Sequence, residues 1–403
     1  MKSGKIFLFL FLAITVGCGG GGGDGGGGNS PPPATGGATG NILPVTVNGA
    51  LCSATSSYPN KACVSVTICA PGTSNCQTIN DILLDTGSFG LRIFKQAITV
   101  LPPATAPATG ALAECIQFAD GTSIWGAVQT ATVILGGEPA VQIPIQVIDR
   151  TFGTPTLPAV CSNADPDPAT ARFTGILGVG LFIQDCGPAC ANVGNNNVYF
   201  TCNGATCSGT TVPLASQVQN PVSQLPQDNN GVIVQLPGVP AGGASTVSGN
   251  LVLGIGTQSN NVPSSATSYS VGQAGNFSTV FNGRTYSSFL DTGSNGYFFS
   301  PPPPSPLPLC PGSAWFCPAA TTDLSATNTA ASGSPSGAVP FRIGNFTSLT
   351  SNAANNVFAE IGGPFPQSFS FDWGLPFFLG KNVYVGFEGK AAAALGTGPF
   401  WAY

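Results

Sequence analysis

The tetrapeptide Asp-Thr-Gly-Ser occurs twice, at Asp85-Thr86-Gly87-Ser88 and at Asp291-Thr292-Gly293-Ser294. Each copy follows an apolar run, Ile82-Leu83-Leu84 before the first and Phe289-Leu290 before the second, so each Asp is expected to end a buried strand. At average residue usage a given tetrapeptide arises by chance at about one position in 100,000. Two copies in 403 residues therefore point to a duplicated unit.

The flanks repeat as well. Val64-Ser65-Val66-Thr67-Ile68-Cys69, a turn at Pro71-Gly72 and then Thr78 to Leu84 precede the first Asp. Phe277-Ser278-Thr279-Val280-Phe281, the turn Asn282-Gly283 and Tyr286 to Leu290 precede the second. Both patterns predict a hairpin feeding the Asp loop. Gly178-Val179-Gly180-Leu181-Phe182 begins 93 residues beyond the first Asp, and Gly374-Leu375-Pro376-Phe377-Phe378 begins 83 residues beyond the second.

On these motifs the chain resembles the pepsin-like aspartic proteases, over roughly residues 41 to 403. Ile176-Leu177-Gly178 is similar to the apolar-apolar-Gly segment that threads beneath the first Asp loop of that family. Asp372-Trp373-Gly374 fills the second such place more loosely, and Asn382-Val383-Tyr384-Val385-Gly386-Phe387 resembles the closing strand. The resemblance implies a mostly β, bilobal pepsin-like acid protease fold, two related β-barrel-like lobes with a cleft between them. A narrower resemblance is to an uncharacterised family of bacterial lipoproteins, which implies no activity.

The first residues look like an export signal. Lys2 and Lys5 precede the apolar run Ile6 to Val16, too short to span a bilayer, and Gly17-Cys18 follows. This predicts a lipoprotein signal over 1–18, with Cys18 lipidated, although Thr15 stands where Leu is usual and an ordinary secretory signal stays open. Gly19 to Gly28 and Pro31-Pro32-Pro33 make 19–40 a Gly/Pro-rich disordered tether. The lobes are expected over 41–240 and 241–403, joined within the Gly/Pro/Ser-rich stretch Leu236 to Ser248. Loss of the signal leaves 9 of the 11 basic residues against 16 acidic ones, a net −7 that makes nucleic acid an unsuitable partner. Only 7% of residues are charged, with 55 Gly and 36 Pro, which favours many short strands over long solvent-facing helices. Pro155 to Pro168 and Ser325 to Ala338 are expected to be surface loops.

Apart from Cys18, 12 of the 13 cysteines remain, an even number behind an export signal. Their spacing suggests local bridges Cys69–Cys76, Cys186–Cys190, Cys202–Cys207 and Cys310–Cys317, and leaves the pairing of Cys52, Cys63, Cys115 and Cys161 open. The chain has no His, which excludes a Ser-His-Asp triad, a Cys-His pair and any His-bearing metal centre. A phosphate-cradling or dinucleotide motif is also missing, so neither a cofactor nor a metal is expected.

Carboxylate chemistry is what remains. Two carboxyls a few ångströms apart resist double ionisation, so one keeps a proton while the other takes one from a bridging water. The resemblance implies that Asp85 and Asp291 form this dyad, that Thr86 and Thr292 brace the loops across the lobe boundary, and that Gly87 and Gly293 admit backbone to the catalytic water. It implies that the Ser88 and Ser294 hydroxyls bond the carboxylates, and that a flap hairpin occupies Cys115 to Gly137. Asp120-Gly121 is the strongest turn signal there, which puts Gly121 at or beside the tip, next to Thr122. The family's flap Tyr is absent, leaving Phe118 or Trp125 to supply an aromatic wall. Arg92, three residues beyond Ser88, would hold both carboxylates ionised if it faced them, whereas a salt bridge elsewhere would leave the dyad alone.

Two functions fit these residues. One is an exported, lipid-anchored aspartic endopeptidase, a monomer acting on a peptide or protein substrate in the inter-lobe cleft. The other is a catalytically inactive cell-envelope binding lipoprotein on the same scaffold. In either case Gly19 after Cys18 does not look like an inner-membrane retention signal, which favours the outer membrane or periplasmic face.

Overall fold

The computed structural model describes residues 40–53, 58–100, 110–303, 305 and 307–403. The proposed signal, Cys18 and nearly all of the tether lie outside these residues. The described chain is mostly β, with strands over 43% of the protein and helices over 9%. Each α-helix is a single turn, such as Pro168–Ala171 and Leu375–Phe378, as the scarcity of charged helix formers predicts.

Two large sheets carry the two Asp loops. A fifteen-stranded sheet contains the first copy and a seven-stranded sheet the second. In the first, Ala62–Cys69 pairs antiparallel with Cys76–Asp85, and that strand runs parallel to Gly175–Val179, which lies antiparallel to Phe89–Phe94. The second repeats the order: Phe277–Phe281 pairs with Arg284–Asp291, then parallel Ser370–Gly374, then antiparallel Tyr297–Phe299. Registers match too, with Asp85 opposite Gly178 and Asp291 opposite Gly374. Both glycines are sterically required. A Cβ on Gly178 would stand 2.7 Å from the Phe89 nitrogen, and one on Gly374 would stand 2.1 Å from the Gly296 carbonyl oxygen.

Alternation along the first hairpin drives Val64, Val66 and Ile68 into the main core, while Ile82 and Leu84 enter it from the paired strand. The same core takes up Phe299, Phe341, Phe371 and Trp373 of the second sheet. The expected joint between lobes is a turn inside a continuous sheet. Gly231–Leu236 and Val247–Leu253 pair antiparallel across 237–246, and their outer neighbours are Lys381–Gly386 and Ile42–Val47.

Six disulfides close among the described cysteines. The four local pairs form as expected, and the open set resolves to Cys52–Cys63 and Cys115–Cys161. Such density fits an oxidising compartment. No helix among the described residues is long and apolar enough to cross a membrane. Pro155 to Pro168 is irregular apart from a short turn at Ala159–Cys161, as expected. Ser325 to Ala338 is not a loop. Thr322–Thr329 and Ser336–Ile343 form a hairpin whose turn is 330–335, because small Ala, Ser and Thr residues alternate inward and outward there.

Candidate active site

Each Asp is the last residue of its strand, where the chain leaves the sheet through Thr-Gly-Ser. Both carboxyls are fully buried. The Gly87 N–H donates to Asp85 Oδ1 at 2.7 Å and the Ser88 hydroxyl donates to Oδ2 at 2.6 Å. The second copy repeats this, with Gly293 N–H on Asp291 Oδ1 and Ser294 Oγ on Oδ2, each at 2.7 Å.

Four hydrogen bonds lock the two loops together. Thr86 N–H donates to Thr292 Oγ1 at 3.1 Å, and Thr292 N–H donates to Thr86 Oγ1 at 3.0 Å. Each hydroxyl in turn donates across to the strand before the other Asp, Thr86 to Leu290 O at 3.0 Å and Thr292 to Leu84 O at 2.8 Å. Residues 206 apart in sequence thus face each other about an approximate two-fold axis. The two carboxyl groups lie within hydrogen-bonding reach of each other.

The closeness has electrostatic consequences. Burial, and then the neighbouring Asp291 carboxyl, hold Asp85 well above the ordinary carboxyl range. Burial raises Asp291 too, against the hydrogen bonds it accepts from Asp85, Ser294 and backbone N–H groups. Two carboxyls this close and this buried cannot both ionise easily, which favours holding one proton between them.

The glycines set the spacing. An added Cβ on Gly87 would stand 2.7 Å from Asp291 Cγ, and one on Gly293 would stand 2.9 Å from Asp85 Cγ. Each loop glycine therefore lies against the carboxyl of the other loop.

A hairpin does form over the stretch expected to carry a flap, from Ala111–Gln117 and Ser123–Ile134 with its turn at 118–122. Gly121 lies in that turn at φ +85°, where glycine is favoured, and Asp120 Oδ1 accepts from both the N–H and the hydroxyl of Thr122. Ala119 packs into an aromatic cluster of the second half with Phe298, Phe358 and Phe365. Close to its turn the hairpin is tied to the 159–161 segment by Cys115–Cys161.

Trp125 is not a wall of the site. It is fully buried beside the Cys115–Cys161 bridge, edge-on to Phe200, and its indole N–H donates to Phe152 O. The reason is strand parity, because Trp125 pairs with Cys115 and so points to the disulfide side. Phe118 instead packs with Tyr58, Leu83 and Ile176.

Tyr58 is a residue that sequence reasoning missed. Its hydroxyl donates to Gly293 O at 3.0 Å, and burial together with Asp291, Asp120 and Asp85 pushes its pKa well above the usual tyrosine range. A tyrosine hydroxyl does therefore stand beside the dyad, supplied by the segment before the first hairpin and not by the flap. Its neighbour Asn60 donates to Asn295 O and Phe358 O and accepts from Phe358 N–H, binding this segment to the second half.

Arg92 turns away from the dyad. Its guanidinium contacts Glu114 Oε1 at 2.9 Å and Asp185 Oδ2 at 2.8 Å and also donates to Phe89 O, all in the interior. The salt-bridge alternative holds, with both partner carboxylates shielded from solvent. Among the described residues one group has metal-capable side chains converging, Cys52, Cys63 and Asp81. Its sulfurs are bonded to each other and Asp81 is paired with Lys61 at 2.6 Å, so no free ligand set exists there.

A family model described as a protein of unknown function, DUF3443, matches residues 37–403. The chain belongs to this family. The match covers both Asp-Thr-Gly-Ser loops, so the duplicated unit lies within the DUF3443 region. No curated protein matches the sequence.

Proposed function

We propose that this DUF3443 protein is an aspartic endopeptidase with a bilobal pepsin-like arrangement, in which Asp85 and Asp291 activate a water for attack on a peptide carbonyl. The observation that supports this most is the pair of buried carboxyls within reach of each other, braced by reciprocal threonine hydrogen bonds. One carboxylate takes a proton from the attacking water while the other carboxyl donates to the carbonyl oxygen; collapse of the tetrahedral intermediate then returns a proton to the leaving amine. Holding one proton between two carboxyls is what this chemistry needs at acidic to neutral pH.

Both carboxyls are fully covered, and the tip of the 111–134 hairpin rests on the second half through Ala119. Substrate therefore reaches the dyad only after the groups that cover it move. The same closure is the observation that favours the second reading, a binding protein that has kept the scaffold without turnover. We also propose export with anchoring to the cell envelope through a lipidated Cys18, for which the apolar run before Cys18 and the six disulfides are the support.

The test is cleavage of a denatured protein substrate and a peptide library across pH 3 to 7, with and without a transition-state-mimicking aspartic protease inhibitor. Activity lost in both Asp85→Asn and Asp291→Asn is the expected result. Activity that survives both substitutions rules out catalysis by this pair, and no activity in the unaltered protein leaves the binding reading.

A further inference from the structure

One short segment of the first half lies across the second beside the dyad, and the mechanism above does not use it. Tyr58 and Asn60 are buried, and five hydrogen bonds tie them to the second half. The Tyr58 hydroxyl donates to Gly293 O at 3.0 Å. The Asn60 N–H donates to Asn356 O at 2.8 Å, and its Nδ2 donates to Asn295 O at 2.9 Å and to Phe358 O at 2.8 Å. The Phe358 N–H returns a bond to Asn60 Oδ1 at 2.7 Å. The segment is rooted in its own half, where Asn48 Nδ2 donates to Tyr58 O and Lys61 Nζ to Asp81 Oδ1, both at 2.6 Å.

The pattern at 356–358 is that of a strand edge. Val357 exchanges its N–H and C=O with Ala244 on one side. The Asn356 carbonyl and both main-chain groups of Phe358 face the other side, and Asn60 takes all three. In an antiparallel pair the residue opposite Phe358 supplies one C=O and one N–H. The Asn60 carboxamide supplies the same two groups from a side chain, so it fills the place of a peptide unit. A second observation points the same way. Asn295, whose carbonyl Asn60 also holds, is buried, and neither Nδ2 nor Oδ1 of its own side chain has a hydrogen-bond partner. A buried amide left so is costly, and it has both a donor and an acceptor to offer. The duplication did not carry the device to the second copy: two residues before that hairpin, where Asn60 stands before the first, is Gly275.

We infer that the edge at 356–358 is a docking site for an extended peptide, which adds to it as a strand through its main chain, and that Asn60 is a built-in competitor which the peptide displaces. Main-chain pairing of this kind gives affinity with little demand on side chains. The docked chain runs beside the second Asp loop, because Asn60 Nδ2 already bridges Asn295 O and Phe358 O. The turn of the 111–134 hairpin is held by the same segment: Phe118 shares a buried cluster with Tyr58, and Ala119 shares one with Phe358. Displacing Tyr58 and Asn60 therefore loosens that turn as it frees the edge. The inference rests on the reading of the dyad as the site that meets a peptide, and it holds whether the peptide is cut or only held.

The test uses the full exported chain carrying Asp85→Asn, so that a bound peptide stays whole. The probes are a fluorescent library of capped hexapeptides and the same library N-methylated, which has no main-chain donors. Asn60→Gly keeps the left-handed backbone at that position, φ +58°, and removes the competing carboxamide. Affinity for the library, read by fluorescence anisotropy, is expected to rise about tenfold. The Phe358 amide should exchange faster in Asn60→Gly and become protected again when the library binds, as read by hydrogen exchange. Unchanged affinity in Asn60→Gly, equal binding of the N-methylated library, or a Phe358 amide that stays unprotected each overturns the inference. Should Asn60→Gly fail to fold, Tyr58→Phe decides, since it removes the hydroxyl that holds Gly293 O: affinity is expected to rise about 2- to 10-fold, and unchanged affinity overturns the inference. Library binding at Phe358 without cleavage by the chain that keeps Asp85 defeats the protease reading and leaves this one standing. Cleavage by that chain with Phe358 unprotected defeats this inference alone.

Discussion

Gly87→Ala probes the closeness of the two loops without touching a titrating group. The new Cβ would stand 2.7 Å from Asp291 Cγ, 2.8 Å from Oδ1 and 3.0 Å from Oδ2. Carbon atoms in contact prefer about 3.5–4.0 Å, so the Asp291 carboxyl or the Gly87 loop must retreat by roughly 0.8 Å. Neither side has slack. Gly293 N–H and Ser294 Oγ hold Asp291 at 2.7 Å each, and the Thr86–Thr292 bonds hold the loops. Overpacking of this kind costs about 1–3 kcal/mol, and stretching a hydrogen bond to a charged group adds about 1.5–3 kcal/mol, so the expected loss is about 2.5–6 kcal/mol. Misplacing a reacting group by about 1 Å should also cut any cleavage activity about 100-fold. Guanidinium unfolding at pH 7 measures the first effect, with Gly194→Ala as control, because a Cβ there meets nothing within 4 Å. The control should stay within about 1 kcal/mol of the unaltered protein. A Gly87→Ala chain as stable as the control would refute the placement of Asp291 against the first loop.

Three other outcomes are expected. Asp85 and Asp291 have folded-state pKa values raised above their unfolded ones, so the stability they contribute is present below the unfolded pKa and lost as pH rises through the folded ones. Asp85→Asn should therefore raise the melting temperature at pH 7 and not at pH 3; a gain confined to pH 3 contradicts the sign. Arg92→Met leaves the shielded carboxylates of Glu114 and Asp185 without their cation and should cost about 3–5 kcal/mol at pH 7, less at pH 4 where Glu114, its pKa raised by burial, takes up a proton, as read by chemical denaturation. Cys18→Ser should release the chain from membranes after a high-salt wash, and continued partitioning with the membrane fraction would end the lipid-anchor reading.

What the sequence discloses here is what repeats or is local. The Asp-Thr-Gly-Ser copies could be aligned because a loop of that kind encodes its own hydrogen bonds: the Gly N–H and Ser hydroxyl come from the two residues after Thr. Bridges between cysteines 4 to 7 residues apart were legible for the same reason. Cys52–Cys63 and Cys115–Cys161 were not, since four cysteines allow three pairings and only strand placement chooses among them. The hairpin over Thr322–Ile343 was hidden by its composition, because Ala, Ser and Thr mark loops and strands alike until pairing is seen.

The departures from symmetry follow a different logic. A duplicated unit brings equivalent loops to one axis and, left to itself, would make the two carboxyls equivalent. Acid–base work requires them to differ. The differences here come from residues outside the repeated motif: Tyr58 approaches Gly293 and not Gly87, and Asp372 replaces the counterpart of Ile176. The register also exchanges Arg92 in the first copy for Phe298 in the second, so the position that carries a cation opposite Ile176 carries an aromatic ring opposite Asp372. Arg92 finds its carboxylates in Glu114 and Asp185, away from the dyad, whereas Asp372 is left with no cation among the groups that act on it. The first copy thus hides a charge between two shielded carboxyls, and the second keeps a buried carboxyl with no cation beside it. That inequality arises from tertiary approach, and it gives the two aspartates different surroundings without any change in the motif that carries them.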